Sequence, residues 1–417
     1  MSPPATRRRV LSGLTAALAA PALAGAPARI VVIGAGFGGI AAARALHAGG
    51  CDVTLVEPAE RYVACPSSNA VVAGLRDMAG QVFGYEGVAR AGIRIVRQRA
   101  ARVEADARRV RLAEGTPLAY DRLILSPGVG LRFDAIPGYD EAAAERMPHA
   151  WKAGPQTERL ARQLAALDDG GLVVMSVPDS PYRCPPGPYE RASLIAHFLK
   201  TRKPRSKLIV LDAKDAFSKQ PLFRAAWSTL YPDHLEWVPR SGGGRVHGVD
   251  AAGGEVRAEA GRLRAAVACI IPPQRAPEIA ALSGLTDAGG WCPVDPVTFE
   301  SRLMPHVHII GDACAAGAMP KSAFSANAQA QVCAQGLLDR LAGRTPGSPK
   351  LINACYSLIA PGSGISIAGV FEVRDGALAS IPAASGISPL EAGPELRAQE
   401  AAYGEAWYRG ITAQTFG

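Results

Sequence analysis

Two cysteines lie in sequence contexts that favour redox or nucleophilic chemistry. Cys184 opens the segment Cys-Pro-Pro-Gly-Pro-Tyr-Glu, residues 184–190. Cys355 lies far along the chain, in the segment Asn-Ala-Cys-Tyr-Ser, residues 353–357. A thiolate acts as a nucleophile and as a redox group, and its surroundings set how reactive it is. The chemistry therefore depends on the elements that position these two residues.

The pattern near the N-terminus predicts a dinucleotide-binding fold. A β-rich run at residues 29–33 ends in Gly-Ala-Gly-Phe-Gly-Gly, an alanine-rich helical stretch follows, and a second strand at 52–56 ends at an acid. In this βαβ order the glycines permit a tight turn and close approach of a pyrophosphate to the helix N-terminus, while the acid can bind ribose hydroxyls. The acid alone does not separate FAD from NAD. The cofactor-binding residues predicted here are Gly34, Gly36, Gly39 and Glu57.

A late strand distinguishes between the two cofactors and favours FAD. It ends on Gly-Asp at residues 311–312, where the acid of a two-dinucleotide flavoprotein reaches the ribityl chain or a phosphate. The next helix opens at residues 321–322, and its free N–H groups can stabilise a reduced, anionic flavin. An earlier buried strand, within residues 118–130, closes on Gly128, which is expected to lie near the flavin site. The further cofactor-binding residues predicted are Gly128, Gly311, Asp312, Lys321 and Ser322.

The second α/β unit lacks the features that NADH needs. A strand at residues 172–176 leads into the segment 177–184, which contains two prolines and no Gly-x-Gly. Proline has no backbone N–H to donate to a pyrophosphate. A cysteine, Cys184, stands where the NAD-binding turn normally lies. This favours a flavin that takes electrons from a thiol-reactive substrate rather than from NADH.

The overall composition limits the classes of function that the protein can have. The 417 residues are 48% hydrophobic and 20% charged, enough for two or three domains with cores of their own. The net charge of +8 raises the question of nucleic acid. No basic run interleaves with aromatic residues, however, and no cysteine or histidine spacing fits a metal. We expect neither nucleic-acid binding nor a metal site.

The first residues read as an export signal. Three consecutive arginines at residues 7–9 precede an apolar run at 14–20 and a small-residue site, Ala22-Leu23-Ala24. This is a twin-arginine pattern, and the apolar run is shorter than the roughly 20 residues that a spanning helix needs. Twin-arginine export moves folded, cofactor-loaded proteins. We therefore expect a periplasmic enzyme, in a compartment where disulfides persist, without stable membrane insertion.

Four segments together resemble the flavoprotein subunit of flavocytochrome c sulfide dehydrogenase, and the related flavoprotein of the Sox sulfur-oxidation system is similar. The resemblance covers residues 28–417. It is carried by residues 184–190, by Ile-Pro-Pro-Gln-Arg-Ala at 271–276, by Gly-Trp-Cys-Pro-Val-Asp-Pro at 290–296, and by Gly-Asp-Ala-Cys at 311–314 with Met-Pro-Lys-Ser at 319–322.

The resemblance implies roles for three cysteines and a partner. Cys184 and Cys355 match a redox-active pair beside the flavin, where sulfide is oxidised, and Cys65 matches the cysteine that forms a thioether to the flavin 8α-methyl group. The alternatives are a structural disulfide for the pair and a buried small side chain for Cys65. Glu190 is a candidate proton acceptor, with helix capping or pairing as the alternative. No Cys-x-x-Cys-His haem motif is present, so the haem is expected on a c-type cytochrome subunit.

The predicted fold class is α/β, with two Rossmann-like dinucleotide-binding domains of the disulfide-reductase-like flavoprotein type and a C-terminal α+β domain. Short β-like pieces such as residues 365–371 and a polar, amphipathic tail are expected after residue 343. The predicted divisions are a twin-arginine signal peptide at 1–26, the first part of an FAD-binding domain at 27–150, a second Rossmann-like domain without an NAD loop at 151–290, the second part of the FAD-binding domain at 291–343, and a C-terminal interface domain at 344–417.

The sequence favours FAD-dependent oxidation of hydrogen sulfide to sulfur or polysulfide, with electrons passed to a c-type cytochrome. Hydrosulfide is a soft nucleophile that opens a disulfide to a persulfide and a thiolate. A sulfide:quinone reductase-like enzyme, an NADH dehydrogenase-like flavoprotein and a non-catalytic accessory subunit of sulfur oxidation remain as alternatives. A quinone-linked enzyme needs membrane contact, but the C-terminal tail lacks a strongly apolar amphipathic pair of helices.

Overall fold

The structure is a computed structural model that describes residues 26–417. The predicted signal peptide, residues 1–26, lies outside the described residues except for its last position. Within the described range no helix combines the length and apolar character needed to cross a membrane. No group of three or more potential metal-ligating side chains is found in the same range.

The first of two parallel sheets forms the core of the N-terminal half. Its strands are rich in Val, Ile and Leu and are buried almost throughout, as expected for a parallel sheet covered on both faces. Their spatial order is Val307–Ile309, Arg122–Leu125, Arg29–Ile33, Asp52–Val56 and Arg94–Val96. The strand from beyond residue 291 thus joins the sheet formed by the first 125 residues, and one nucleotide-binding unit is assembled from two stretches of chain.

The second parallel sheet has four strands, in the order Leu235–Val238, Lys207–Asp212, Leu172–Val177 and Val267–Ile270. Two antiparallel three-stranded sheets accompany the parallel ones. The first contains Ala100–Glu104, Arg109–Leu112 and Pro117–Ala119, and the second contains Val246–Asp250, Glu255–Ala258 and Gly261–Arg264. Two-residue strands pair Gly130–Leu131 with Gln274–Arg275, Cys292–Pro293 with Cys314–Ala315, and Tyr62–Val63 with Val82–Phe83.

A long antiparallel hairpin forms the C-terminal sheet. Strands Lys350–Ala360 and Ser363–Arg374 pair along their length, with Ala377–Ser380 and Gly386–Ile387 beside the second. These strands are longer than the short pieces predicted from the sequence. Many of their side chains are only half-buried, and buried and exposed positions do not alternate regularly. The period-two pattern from which a strand is predicted is therefore weak here.

Ten α-helices are present among the described residues. They span Phe37–Ala48, Ser68–Val72, Glu86–Arg90, Glu141–Arg146, Pro155–Ala166, Gly187–Arg202, Gln220–Leu230, Glu278–Leu282, Ala323–Leu341 and Pro394–Phe416. The C-terminal end of the last helix packs against the first domain. There the Phe416 ring stacks on those of Tyr62 and Phe83, with centroids 5.0 Å apart in both pairs. The predicted architecture of two Rossmann-like units and a C-terminal α+β region is confirmed.

Candidate active site

A cavity of about 450 Å³ is lined by residues of both Rossmann-like units and of the C-terminal sheet and helix. Most of the predicted site residues lie on its wall, although they come from distant parts of the sequence. Those on the wall are Gly34, Gly36, Glu57, Cys65, Gly128, Cys184, Glu190, Gly311, Asp312, Ser322 and Cys355. Gly39 and Lys321 do not line the cavity.

Two positions of the glycine turn at residues 34–39, Gly34 and Gly39, cannot carry a side chain. Gly34 has a φ of +96°, and a Cβ atom there would lie 2.3 Å from the carbonyl oxygen of Ser126. At Gly39 a Cβ would lie 1.8 Å from the carbonyl oxygen of Gly34. Gly39 therefore lets the helix Phe37–Ala48 start close to the strand, while the preceding backbone faces the cavity. This is the geometry that admits a pyrophosphate.

Glu57 lies at the end of the second strand, on the cavity wall. Its Oε2 accepts a hydrogen bond of 3.0 Å from the backbone N–H of Ala35, and its Oε1 accepts one of 2.9 Å from Ala59. Each carboxylate oxygen keeps a free lone pair for a further donor. The carboxylate is thus held at the glycine turn and fits a ribose hydroxyl pair.

Asp312 supplies the strongest sign that a polar ligand belongs in the cavity. The residue is 9% exposed, and its buried Oδ1 has no hydrogen-bond partner among the described residues. Oδ2 lies 3.9 Å from the guanidinium of Arg183. Burial raises the pKa of Asp312, while the charge of Arg183 opposes that rise. A buried carboxylate oxygen without a partner is costly, and a hydroxyl donor of FAD fits this position.

The helix Ala323–Leu341 points its N-terminus at the same cavity. Ser322 caps the helix, because its Oγ accepts a hydrogen bond of 3.0 Å from the backbone N–H of Ser325. The first turn of the helix lines the cavity, where its positive end favours an anionic group.

Lys321 is placed differently from the other predicted cofactor-binding residues. Its side chain turns away from the cavity, and Nζ donates a hydrogen bond of 2.6 Å to the carbonyl oxygen of Cys314. The ammonium also lies 3.8 Å from the centroid of the Trp291 ring. Its carbonyl oxygen accepts a hydrogen bond of 2.7 Å from the N–H of Cys184, and its charge lowers the pKa of Asp312. Its contribution there is to hold the Cys184 loop.

Cys65 lies on the cavity wall in the loop that follows Glu57. The residue is half-buried, and its Sγ accepts a long hydrogen bond of 3.4 Å from the backbone N–H of Ala153. The next residues, Pro66, Ser67 and Ser68, also line the cavity. The thiol is therefore accessible from the cavity, and its position is compatible with the predicted attachment to a flavin.

Cys184 and Cys355 open into this one cavity from two different domains. Cys184 has a φ of +57° in the loop before the helix Gly187–Arg202, and Cys355 lies in the middle of the strand Lys350–Ala360. Burial raises the pKa of both thiols, and the charge of Cys355 adds to the rise at Cys184. All eight cysteines are free thiols in the structure. Both cysteines thus lie on the wall of the same cavity.

Glu190 neither caps its helix nor forms a salt bridge among the described residues. Its Oε2 accepts a hydrogen bond of 2.7 Å from the side-chain amide of Asn69, and its Oε1 accepts one of 2.9 Å from the backbone N–H of Leu358. Burial raises the pKa of Glu190, and both hydrogen bonds oppose that rise. The carboxyl lines the cavity beside the two thiols and can exchange a proton there.

The second Rossmann-like unit holds its strand-end acid in the interior. Asp212 ends the strand Lys207–Asp212, where an NAD-binding unit would present a carboxylate to the ribose. Instead, its Oδ1 accepts a hydrogen bond of 2.6 Å from Lys214, and its Oδ2 accepts one of 2.7 Å from Tyr189 and one of 3.1 Å from Trp237. The Tyr189 ring stacks on Phe217 with centroids 3.6 Å apart. Neither carboxylate oxygen remains available to a nucleotide.

Three further residues lie beside the site and were not predicted from the sequence. They are Arg183, Lys219 and Asn353. Asn353 had a detectable signal, because it lies two residues before Cys355, and alternate residues of a strand share a face. Arg183 directly precedes Cys184. Lys219 lies in a segment with no recognisable motif, and only the tertiary structure brings it to the site.

Comparisons with known proteins agree with this geometry. A family model for the central region of the flavoprotein chain of flavocytochrome c sulfide dehydrogenase matches residues 157–272, and a model for the flavin-binding region of flavocytochrome c sulphide dehydrogenase matches residues 347–416. A pyridine nucleotide-disulphide oxidoreductase model matches residues 28–166. The three matches include the segments that carry the glycine turn, Cys184 and Cys355.

Individual relatives give a similar result. The chain is 26% identical over 324 residues to the mitochondrial sulfide:quinone oxidoreductase of Mus musculus, covering 75% of this chain and 70% of that protein. A stretch of 45 residues is 51% identical to the flavoprotein chain of sulfide dehydrogenase (flavocytochrome c) of Chlorobaculum thiosulfatiphilum, covering 10% of this chain and 94% of that sequence. The solved sulfide:quinone oxidoreductase of Aquifex aeolicus shares the fold, with a TM-score of 0.72, 17% identity and coverage of 92% and 91% of the two chains.

Proposed function

The chain belongs to the family of flavocytochrome c sulfide dehydrogenase flavoprotein chains, and from this premise we propose that it oxidises hydrosulfide at Cys184 and Cys355 and passes the electrons to a c-type cytochrome. The family establishes an FAD-binding flavoprotein oxidoreductase of the sulfide-metabolising type. The observation that carries the finer proposal is the meeting of these two cysteines in one cavity, whose other walls fit FAD.

The chemistry begins with the cysteine pair as a disulfide. Hydrosulfide attacks one sulfur, a new S–S bond forms, the Cys–Cys bond breaks, and the second cysteine leaves as a thiolate. Glu190 accepts the proton of the resulting persulfide. Return of the pair to the disulfide releases one sulfur atom at the level of elemental sulfur together with two electrons. The sum is the conversion of HS⁻ to sulfur, one proton and two electrons.

FAD, when bound, supplies an acceptor for two electrons and a donor of single electrons. The glycine turn and Glu57 would hold its pyrophosphate and ribose, and Asp312 would accept a hydrogen bond from its polar chain. The helix that begins after Ser322 would stabilise negative charge on the reduced ring. We further propose that Cys65 attaches the flavin covalently, because its thiol is open to the cavity.

The proposed partner is a c-type cytochrome subunit that docks on the face containing the C-terminal helix. Trp407 lines the cavity and stacks on Phe324, with ring centroids 6.1 Å apart, so it could carry electrons outward. Tyr408, by contrast, is buried, and its hydroxyl lies 2.9 Å from both the carbonyl oxygen of Gly80 and the Oε1 of Gln81, so that its single hydrogen is donated between them. Tyr408 therefore serves packing, and Trp407 is the aromatic residue proposed for the electron path.

Quinone is a second candidate acceptor, and a specific observation favours it. The mouse relative that spans most of the chain is named a sulfide:quinone oxidoreductase. Against quinone stands the match to two models of the cytochrome-linked family. The twin-arginine pattern supports a periplasmic location, which is also where c-type cytochromes work.

Two measurements on purified, FAD-loaded protein test the proposal. Anaerobic addition of sulfide should bleach the flavin absorbance, and no bleaching with intact cysteines would rule out sulfide as the electron donor. The reduced protein should then be mixed separately with a c-type cytochrome and with a soluble quinone. Rapid reoxidation by quinone with none by any cytochrome would replace the proposed acceptor. Replacing Trp407 with Leu should slow reoxidation by the cytochrome more than reduction by sulfide.

A further inference from the structure

A lysine lies in the interior beside the cysteine site. Lys219 directly precedes the helix Gln220–Leu230 and is 2% exposed. Its backbone adopts a left-handed conformation with a φ of +62°, which a residue with a side chain rarely adopts. Such a conformation persists only where the surrounding structure holds it. A buried lysine in a strained backbone therefore needs a physical reason.

The contacts of Lys219 leave its charge without a directly bound anion. Nζ donates hydrogen bonds of 3.2 Å to the carbonyl oxygen of Cys355, 2.8 Å to the hydroxyl of Ser357 and 3.2 Å to the carbonyl oxygen of Ile365. All three acceptors are neutral. Within residues 26–417 no carboxylate oxygen lies within 4.0 Å of Nζ. Burial of an ammonium without a counter-charge is unfavourable.

Two carboxylates face Lys219 from neighbouring helices, and both are engaged by other groups. Both oxygens of Glu190 accept hydrogen bonds, from Asn69 and from a backbone N–H. Glu400 accepts hydrogen bonds from two serine hydroxyls and lies 3.3 Å from the guanidinium of Arg397. Neither carboxylate therefore forms an ion pair with the ammonium of Lys219.

The remaining titratable groups that face Lys219 are the thiols of Cys184 and Cys355. Burial lowers the pKa of Lys219 to about 8, and the charge of Cys355 opposes this effect more than any other group does. In return, the ammonium lowers the pKa of the Cys355 thiol, whereas burial raises it. The two groups thus favour each other's charged forms.

Asn353 also acts on the Cys355 thiol. Its Oδ1 accepts hydrogen bonds of 2.6 Å from Ser322 and 3.0 Å from Ser325. These bonds fix the orientation of the amide, and the Asn353 side chain lowers the pKa of the Cys355 thiol. The charges of Arg183 and Lys219 also lower the pKa of the Cys184 thiol, but the charges of Cys355 and Glu190 raise it more. The surroundings therefore treat the two cysteines unequally.

We propose that Lys219 is a positioning residue of the sulfide site, whose ammonium is the counter-charge for an anionic sulfur on Cys355. This inference rests on the proposed function and deepens it, because it distinguishes the two cysteines. When hydrosulfide opens the disulfide, the better-stabilised thiolate is the better leaving group. Cys355 then departs as the thiolate, and the new S–S bond forms between hydrosulfide and Cys184. The electron pair of the broken Cys–Cys bond stays on the sulfur beside Lys219.

Alkylation of the reduced protein tests the counter-charge without any sulfide turnover. The rate at which iodoacetamide modifies Cys355 is followed against pH by mass spectrometry of its peptide. In Lys219→Met the profile should move to higher pH by about one unit, because an opposite charge at close range favours the thiolate. Lys219→Arg should restore the profile. An unshifted profile in folded Lys219→Met would overturn the proposal.

The control variant is Lys214→Met, which removes another largely buried lysine of the same domain, paired with Asp212. It should lower stability but leave the Cys355 profile in place. An equal shift in both variants would show a general loosening and would overturn the role of Lys219. If sulfide fails to bleach the flavin in the unmodified protein while the alkylation shift persists, the proposed function is wrong and the counter-charge stands.

The position of the added sulfur has its own test. Oxidised protein is mixed with one equivalent of sulfide, trapped at once with iodoacetamide and digested. The extra sulfur should be found on the Cys184 peptide, with Cys355 alkylated as a plain thiol. A persulfide on Cys355 with Cys184 alkylated would reverse the assignment of the leaving thiolate.

Discussion

The side-chain amide of Asn69 donates a hydrogen bond of 2.7 Å to the carboxylate of Glu190. The orientation of this amide is set from behind, because its Oδ1 accepts a hydrogen bond of 2.9 Å from the buried guanidinium of Arg191. Asn69 follows the loop of Cys65, and Glu190 follows the loop of Cys184. This hydrogen bond therefore connects two helices. One follows the loop proposed to carry the flavin, and the other follows the loop proposed to react with sulfide.

This contact gives a pH prediction for Glu190. Burial raises its pKa, and the proposed proton acceptor is the ionised form, so flavin reduction by sulfide should become faster as the pH rises through that pKa. Glu190→Gln should reduce the rate about 100-fold and remove this pH-dependent rise. Stopped-flow reduction across a pH series measures both effects. An unchanged pH profile in Glu190→Gln would exclude the carboxyl as the acceptor.

A variant of Asn69 tests the direction in which this hydrogen bond moves the pKa of Glu190. The hydrogen bond from Asn69 stabilises the ionised form of Glu190 and lowers its pKa, so Asn69→Ala should move the rise in rate to higher pH. The same pH series with the same readout applies. A shift toward lower pH would contradict the geometry described for this pair.

The cysteine pair is expected to be catalytic rather than structural. Cys184→Ser and Cys355→Ser should each keep bound FAD and the native fold, whereas sulfide should no longer bleach the flavin. If the pair served only as a disulfide, either change would lower stability by about 5 kcal/mol in the loop-entropy description. Thermal melting and anaerobic titration together separate the two outcomes. Reduction of both variants at the original rate would defeat the mechanism.

Covalent attachment of the flavin at Cys65 predicts a simple chemical result. Acid-precipitated protein should remain yellow, and the peptide containing Cys65 should carry the mass of FAD. In Cys65→Ala the flavin should be released by acid, although the glycine turn, Glu57 and Asp312 should still bind it in the native state. Complete release of FAD from the unmodified protein would rule out the linkage.

The buried ion pair of Asp212 and Lys214, in the second Rossmann-like unit, is expected to stabilise the fold. The side chain of Asp212 is fully buried, and that of Lys214 is 11% exposed, so Lys214→Met would leave a carboxylate without its counter-charge. The free energy of unfolding should fall by about 3 kcal/mol, measured by urea denaturation. Replacing Asp212 as well, in Asp212→Leu with Lys214→Met, should recover part of the loss. A loss confined to the double variant would contradict this pairing.

The contacts of Asp212 also lead us to expect that NADH does not reduce the flavin. Both carboxylate oxygens of Asp212 are occupied by side chains of the domain itself, and the stacked Tyr189 and Phe217 rings lie beside them. Anaerobic NADH should therefore leave the flavin absorbance unchanged under conditions in which sulfide bleaches it. Bleaching by NADH at a comparable rate would favour the NADH dehydrogenase-like alternative.

The sequence by itself determined the features whose geometry is local. The turn at residues 34–39 could be predicted from its glycine pattern, and at Gly34 and Gly39 a Cβ would indeed clash with a carbonyl oxygen. Glu57 and Asp312 could be predicted from their positions at strand ends. The two Rossmann-like units could be recognised because parallel, doubly covered strands leave continuous apolar runs. The long hairpin around Cys355 was underestimated, because its half-buried strands leave only a weak periodic signal.

Only the tertiary structure decided which side chains meet. Lys219 and Asn69 are far from Cys355 and Glu190 in sequence, and no spacing rule links them, because packing between separate elements sets their distances. Lys321 turns away from the cavity for the same reason: the Trp291 ring and the Cys314 carbonyl, on neighbouring segments, offer its ammonium better partners. Charge pairing and side-chain direction depend on long-range packing, and a one-dimensional pattern carries no information about either.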